Sequence, residues 1–353
     1  MRILVVSGKD YFSTFDVFNG ICEGLVELGH QVISYDIGSL MKYEEISASV
    51  LKTSGVWDKV YGDQQYNAKA WANIFAKGIV FDAINEKVDA VLAISGHSLW
   101  NQDIIRCLQA QDIPCILWLT EEPYDHSQSL IMGQAYDLVF SNEENSSLGC
   151  SEPWKFLPLG CRPNFHKPMP VEKQFDLSFI GHLFDERIKF FEKIYHYLRT
   201  KKTYFGCLRL WNAQNSHVLD LVDPKHWPNV PIPQERTVIV YSQSKICLNL
   251  HRSDDTDGIM ARTPGPRTWE IAACGGFQMV DSKREGLWDV FDRDEIVTFD
   301  GPEDLIEKAD YYLKHREERE TMASKARSRV LENCSYRSRA VSLVTMIENL
   351  KNA

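Results

Sequence analysis

The sequence predicts an α/β protein made of two doubly wound halves, and three observations lead there. Short apolar runs alternate with amphipathic stretches along most of the chain, the pattern of strands joined by helices. The alternation is interrupted by "CRPNFHKPMPVEKQ" at 161–174, where three prolines in fourteen residues read as a linker. The length, 353 residues, exceeds one ordinary core, so two domains are the default.

The elements follow in order. The strand "RILVVSG" opens the first half. A helix then places Phe18, Ile21, Cys22, Leu25 and Leu28 on one face, and Gly29 stops it before the strand "QVISYDI". A strand–helix–strand unit of this length makes its strands parallel. The pattern resumes with "DAVLAISG", the helix "NQDIIRCLQAQD", "PCILWLT", a helical stretch, "YDLVFSN" and "KFLPLG". After the linker come "FDLSFIGH", a helix over 185–200, "TYFG", a loop rich in Trp and Pro, and a helix near 234–244. "KICLNLH", the stretch "RTWEIAACGGFQMV", "EIVTFD" and two charged helices across 303–332 complete the second half. The domains are therefore placed at 1–165 and 172–335, with a closing helix in 336–353. Two such sheets facing each other would enclose a central cleft lined by the loops beyond their carboxyl ends.

Composition narrows the function. Hydrophobic content of 44% and charged content of 25% suit a soluble globular protein. The opening apolar run, Ile3 to Val6, is too short for a signal peptide, and no stretch nears the ~18 apolar residues of a membrane span. Nine cysteines with no C-x-x-C pair read as reduced thiols, so a cytoplasmic protein is expected and the sequons at Asn145 and Asn333 carry no weight. The net charge of −10 is uneven: residues 1–170 hold 12 Lys and Arg against 21 Asp and Glu, a balance of −9. An acidic first half is a poor platform for a phosphate backbone, which disfavours nucleic acid as a partner.

Several loops carry candidate chemistry. Glu270, near the start of a helix beginning about Thr268, is either a dipole-favoured carboxylate or a hook for the paired hydroxyls of a ribose. The helix start would hold a phosphate, and Gly275–Gly276 would turn the chain sharply or let it approach a ligand. Gly181 ends a strand with Arg187 just inside the next helix; that arginine is either a surface residue, the commoner fate, or a partner of Arg267 in clamping a diphosphate. Asn249, His251 and Arg252 end another strand and suit a cleft lining. Asp255-Thr256-Asp257 reads as a solvated loop rather than a metal ligand, and no metal is expected. In the first half, the loops 7–15, 95–100 and 119–126 supply acceptor-side Gly8, Tyr11 and Tyr124. The possible general bases there are His97, Glu121 and Glu122.

"LWLTEEPYDH", "YDLVFSNEENS", "FLPLGCRPNFHKP", "DLSFIGHLFDER" and the long segment from "RTWEIAACGGFQMVDSKREGLW" onward resemble, in order, the CgeB-like (spore-maturation type) glycosyltransferases. The resemblance spans nearly the whole chain and is most specific across 265–340. It implies the GT-B class: two Rossmann-like domains, a nucleotide sugar held mainly by the second, and a last helix returning to the first. It implies Glu270 on the ribose, and Gly181, Arg187 and Arg267 near the diphosphate, with Gly275 and Gly276 in the turn after the donor helix. Retaining members of the wider class often carry a glutamate eight positions before the ribose ligand. Arg262 stands there instead, which leaves the stereochemistry open and makes Arg262 an alternative phosphate ligand. The expected donor is a nucleoside diphosphate sugar, UDP-sugar first, with no cofactor and a hydroxyl-bearing acceptor. Alternatives are a phage-type DNA-base glycosyltransferase, a sugar-nucleotide epimerase and a non-catalytic GT-B-like binding protein.

Overall fold

The structure is a computed structural model. It describes the chain apart from residues 9–12, 63, 65, 66, 95–101, 152, 207–215, 227–231, 253–257 and 353, and apart from the side chains of 13–15, 69 and 352. Two compact units emerge: Met1–Leu159 with Asp255–Ala261 and Tyr336–Ala353, and Gly160–Asp254 with Arg262–Ser335. The division falls at 159 rather than 165 because the start of the linker belongs to the second unit. There the Cys161 N–H donates to the Cys334 carbonyl at 2.8 Å.

The first unit holds one parallel sheet of six strands. These are β1 (Arg2–Val6), β2 (Gln31–Tyr35), β3 (Ala90–Ile94), β4 (Cys115–Leu119), β5 (Leu138–Ser141) and β6 (Trp154–Phe156), in the order β2-β1-β3-β4-β5-β6. The central runs "AVLAI" and "CILWL" are buried throughout, as strands covered on both faces must be. Around them lie α1 (Ser13–Glu27), α2 (Ile37–Thr53), α3 (Val56–Tyr61), α4 (Ala68–Asn85), α5 (Gln102–Gln109), α6 (His126–Gly133) and α7 (Glu144–Leu148). The sequence pattern predicts no element for α2 to α4. Their outward faces carry exposed Tyr43, Ile46, Val50, Val60, Ile74 and Phe81, which blur the amphipathic signal.

The last helix, α14 (Tyr336–Asn352), follows the six helices of the second unit in the chain but is part of this first unit. It lies against α1, where glycines make room. A Cβ at Gly20 would collide with the Tyr336 ring, and one at Gly24 would stand 2.6 Å from the Tyr336 carbonyl oxygen. Trp118 meets the same tyrosine edge-on at 6.3 Å and donates its indole N–H to the Leu157 carbonyl at 3.0 Å.

The second unit holds five parallel strands: β7 (Phe175–Ile180), β8 (Thr203–Gly206), β9 (Ser244–Asn249), β10 (Gln278–Asp281) and β11 (Val297–Phe299), ordered β11-β10-β9-β7-β8. Its helices are α8 (Asp185–Lys193), α9 (Tyr195–Leu198), α10 (Gln234–Gln243), α11 (Pro266–Ala273), α12 (Gly301–Lys314) and α13 (Arg316–Asn333). The chain runs from β7 outward to β8, then back to β9 on the other side of β7. The sheet therefore reverses direction between β7 and β9.

Candidate functional site

In an open parallel sheet, ligands bind beyond the carboxyl ends of the strands where the order reverses. Two arginines converge at that point of the second unit. Arg187, in the first turn of α8 and 5% exposed, donates to the His182 carbonyl at 2.8 Å and to the Leu250 carbonyl at 2.6 Å. It thereby ties the loop after β7 to the loop after β9. Arg267, in the first turn of α11, reaches the same Leu250 carbonyl and the Asn249 Oδ1, each at 3.4 Å. The two guanidinium groups lie 5.7 and 5.4 Å from the centre of the Phe179 ring.

Gly181 now has a physical reason. A Cβ there would collide with Arg267 Nη2, so only glycine leaves the guanidinium its seat. The glycine thereby seats an arginine. Asn249 is likewise a positioning residue: it is buried, and its Nδ2 donates to Thr268 Oγ1 at 3.0 Å and to Gln278 Oε1 at 3.2 Å. This fastens the end of β9 to the first turn of α11, the turn that carries Arg267.

Two more arginines join from neighbouring loops. Arg284, buried, donates to the Arg252 carbonyl at 2.9 Å, and the Arg252 guanidinium lies 4.8 Å from the centre of the Phe184 ring. Cations gathered in one place make a site for an anion. The start of α11 adds to it. Gly265 is the cap residue and no described side chain caps it, Pro266 occupies the opening turn, and the nearest described atom to a Cβ at Gly265 would be His251 Cδ2 at 3.8 Å. A helix start that no described side chain caps attracts negative charge.

His251 and Asp281 form a buried pair at the ends of adjacent β9 and β10, 6% and 7% exposed. Asp281 Oδ1 takes the His251 Nδ1 at 2.8 Å, and Oδ2 takes the His251 backbone N–H at 2.6 Å. Burial works to raise the Asp281 carboxyl, but the bonds and charge of His251, with Lys283, outweigh it and hold the group below its ordinary value. Burial pushes His251 down; Asp281 pulls it back only in part, and Arg284 and Arg267 press it lower.

Other expected site residues are placed differently. Glu270 lies beyond the first turn, because α11 begins at Pro266 rather than near Thr268; the dipole reading of its carboxylate therefore falls. It is half-buried, with a ring nitrogen of His166 within 4.8 Å. Gly275 and Gly276 close the far end of α11, away from its start. Gly275 has φ +68° and donates to Ala272 O, while Gly276 donates to Ile271 O, each at 2.9 Å. That is a left-handed glycine cap, so the pair turns the chain back toward the sheet. Arg262 pairs with Asp289 at 2.5 Å and gives its carbonyl to the Gly286 N–H. Its charge is thus answered by a carboxylate.

In the first unit, Glu122 is 3% exposed and its Oε2 meets His126 Nδ1 at 2.6 Å, a packed position that suits no general base working on a substrate. Glu121 and Tyr124 are half-buried in the loop after β4, with the Tyr124 N–H on the Glu121 carbonyl at 3.0 Å. Gly8 is buried just after β1. Tyr11, His97 and the acidic loop 255–257 lie outside the described residues. Asp281 and Arg284 are functional residues that sequence reasoning misses, although "FQMVD" ends on a polar residue just as "KICLNLH" does.

Comparison with known proteins agrees with this architecture. The family described as glycosyl transferase-like matches residues 189–345. Spore protein CgeB of Bacillus subtilis (strain 168) is 27% identical over 237 residues, 63% of this chain and 71% of that protein. An alpha-glucosyltransferase solved in complex with UDP has a TM-score of 0.64 at 13% identity, covering 99% of this chain and all 100% of that one. HepE of Anabaena, solved with UDP and glucose, gives 0.61 at 10% identity over 99% and 100%. Sucrose-phosphate synthase from Thermosynechococcus elongatus gives 0.63 at 10% identity over 99% of each chain. At these identities the structural likeness establishes the fold, which is GT-B.

Proposed function

We propose that this chain, a CgeB-like glycosyltransferase of GT-B fold, moves a sugar from a nucleoside diphosphate to a hydroxyl, with the diphosphate held beyond β7 and β9. The observation that carries the reading is the seating of Arg267. It lies over Gly181 and beside Asn249, in the opening turn of a helix that no side chain caps. A guanidinium and free N–H groups fixed in place stabilise charge as it builds on a departing diphosphate. With arginines in that role, departure of the leaving group needs no divalent metal. Arg187 holds the two loops together, and Glu270 accepts from the neighbouring hydroxyls of the ribose. UDP is the first nucleotide to try, because HepE and the alpha-glucosyltransferase were solved with it.

In the transfer, the acceptor oxygen bonds the anomeric carbon while the carbon–oxygen bond to the diphosphate breaks. The bonding electrons leave with the phosphate, and the hydroxyl proton passes to a base for which Glu121 and His97 are the candidates. The acidic first half suits a sugar, a glycan or a protein side chain as acceptor. No described helix is long and apolar enough to cross a membrane. A cytoplasmic setting suits the buried thiols of Cys115, Cys247 and Cys274, none of which is in a disulfide. The test is a thermal-shift panel of uridine, adenosine and guanosine diphosphates and their sugars, run in a chelator. A ligand at 100 times its Kd adds about 2.7 kcal/mol of apparent stability. UDP and at least one UDP-sugar should raise Tm; no shift from any of them at millimolar concentration would end the reading.

A further inference from the structure

The His251–Asp281 pair carries more than the donor reading uses. Both carboxylate oxygens of Asp281 are engaged by His251, one by the ring and one by the backbone N–H. An ionised carboxylate has no proton to give, so the ring proton must sit on Nδ1. Nε2 then presents a bare lone pair. It is buried and has no hydrogen-bond partner among the described residues. A buried polar atom left unmet is costly, and in native proteins it asks for an explanation.

Its surroundings say what would satisfy it. The Cδ2 beside Nε2 is turned toward the start of α11, where it is the nearest described atom, at 3.8 Å, to the place a Cβ would take on Gly265. Arg267, Arg284 and the helix start there favour an anion. A lone pair does not: a phosphate oxygen has no proton to offer at neutral pH and would repel it. Nε2 therefore needs an O–H donor held beside an anionic group. A sugar attached to phosphate supplies both.

We infer that His251 reads a hydroxyl of the bound nucleotide sugar through Nε2, with Asp281 fixing the tautomer that makes it an acceptor. The inference rests on the donor reading above. The hydroxyl belongs either to the transferred sugar or to the ribose, and the two sources are separable. His251→Phe removes the acceptor while keeping a flat ring. His251→Gln can restore an acceptor near the Nε2 position.

The experiment is calorimetric titration of UDP and UDP-glucose into the wild-type protein and both variants, with ring-nitrogen NMR of the wild type. If the contact is to the sugar, His251→Phe should bind UDP normally and lose roughly tenfold in UDP-glucose affinity, the size of one hydrogen bond. Normal UDP binding would also show that the variant is folded. If the contact is to the ribose, both ligands should weaken together, while binding of 2′- or 3′-deoxy-UDP should be indifferent to the change. His251→Gln should recover part of the loss in either case. The spectrum should place the proton on Nδ1, with Nε2 responding to UDP-glucose. A wild type that binds neither ligand brings down the donor reading and this inference with it. A wild type that binds while His251→Phe binds both equally well overturns the hydroxyl contact alone.

Discussion

Among the described residues, the buried Glu122–His126 pair of the first unit and the buried His251–Asp281 pair of the second do different work. Glu122 and His126 are four residues apart, at the entry to α6, and the His126 ring meets Trp154 edge-on at 5.8 Å. His251 and Asp281 are thirty apart and meet only because β9 and β10 are neighbours. Each pair leaves an unmet acceptor among the described residues, Glu122 Oε1 in one and His251 Nε2 in the other. The second stands beside Arg267 and Arg284 at the start of α11. The first is enclosed by packing. Burial and pairing alone therefore do not mark a site; what the spare atom faces does.

That contrast can be broken most forcefully at Glu122. Glu122→Ala strands the His126 Nδ1 and opens a cavity, which should cost roughly 2–4 kcal/mol of stability while leaving UDP affinity unchanged. A melting curve beside a titration reads both quantities. An unchanged Tm with turnover abolished would make Glu122 a base after all and reverse the comparison. A smaller effect is expected at Gly275, which shares α11 with the donor residues but sits at its far end. Gly275→Ala forces an alanine to φ +68° and brings its Cβ to 3.2 Å from Pro168 Cγ. About 1–2 kcal/mol of stability should be lost, again without change in UDP affinity. A selective loss of affinity would return Gly275 to the donor site.

Much of this was open to reading from residues alone. The buried runs of the first sheet and the charged α12 and α13 stand out by period and composition. So do Arg187, Arg267 and His251, because each lies just past a strand or at a helix start. What stayed hidden has physical causes. The partner of His251 is thirty residues away, and sequence does not order strands. The sequence pattern puts the start of α11 near Thr268, two residues late, because Pro266 needs no N–H donor in a first turn and "GP" is a helix opening as well as a break. The sequence of Gly275–Gly276 suits a turn and a ligand alike, and the hydrogen bonds to Ala272 and Ile271 supply the turn. Helices α2 to α4 were masked by their own exposed apolar residues.

The central claim is that the arginines beyond β7 and β9 hold the diphosphate of a sugar nucleotide, and Arg267 tests it most directly. Arg267 is only partly buried, so its replacement should fold. Calorimetric titration of UDP into wild-type protein and Arg267→Ala should show affinity falling by about 1.5–3 kcal/mol, roughly 10- to 150-fold, at nearly constant Tm. Equal UDP affinity in the two proteins would contradict the account.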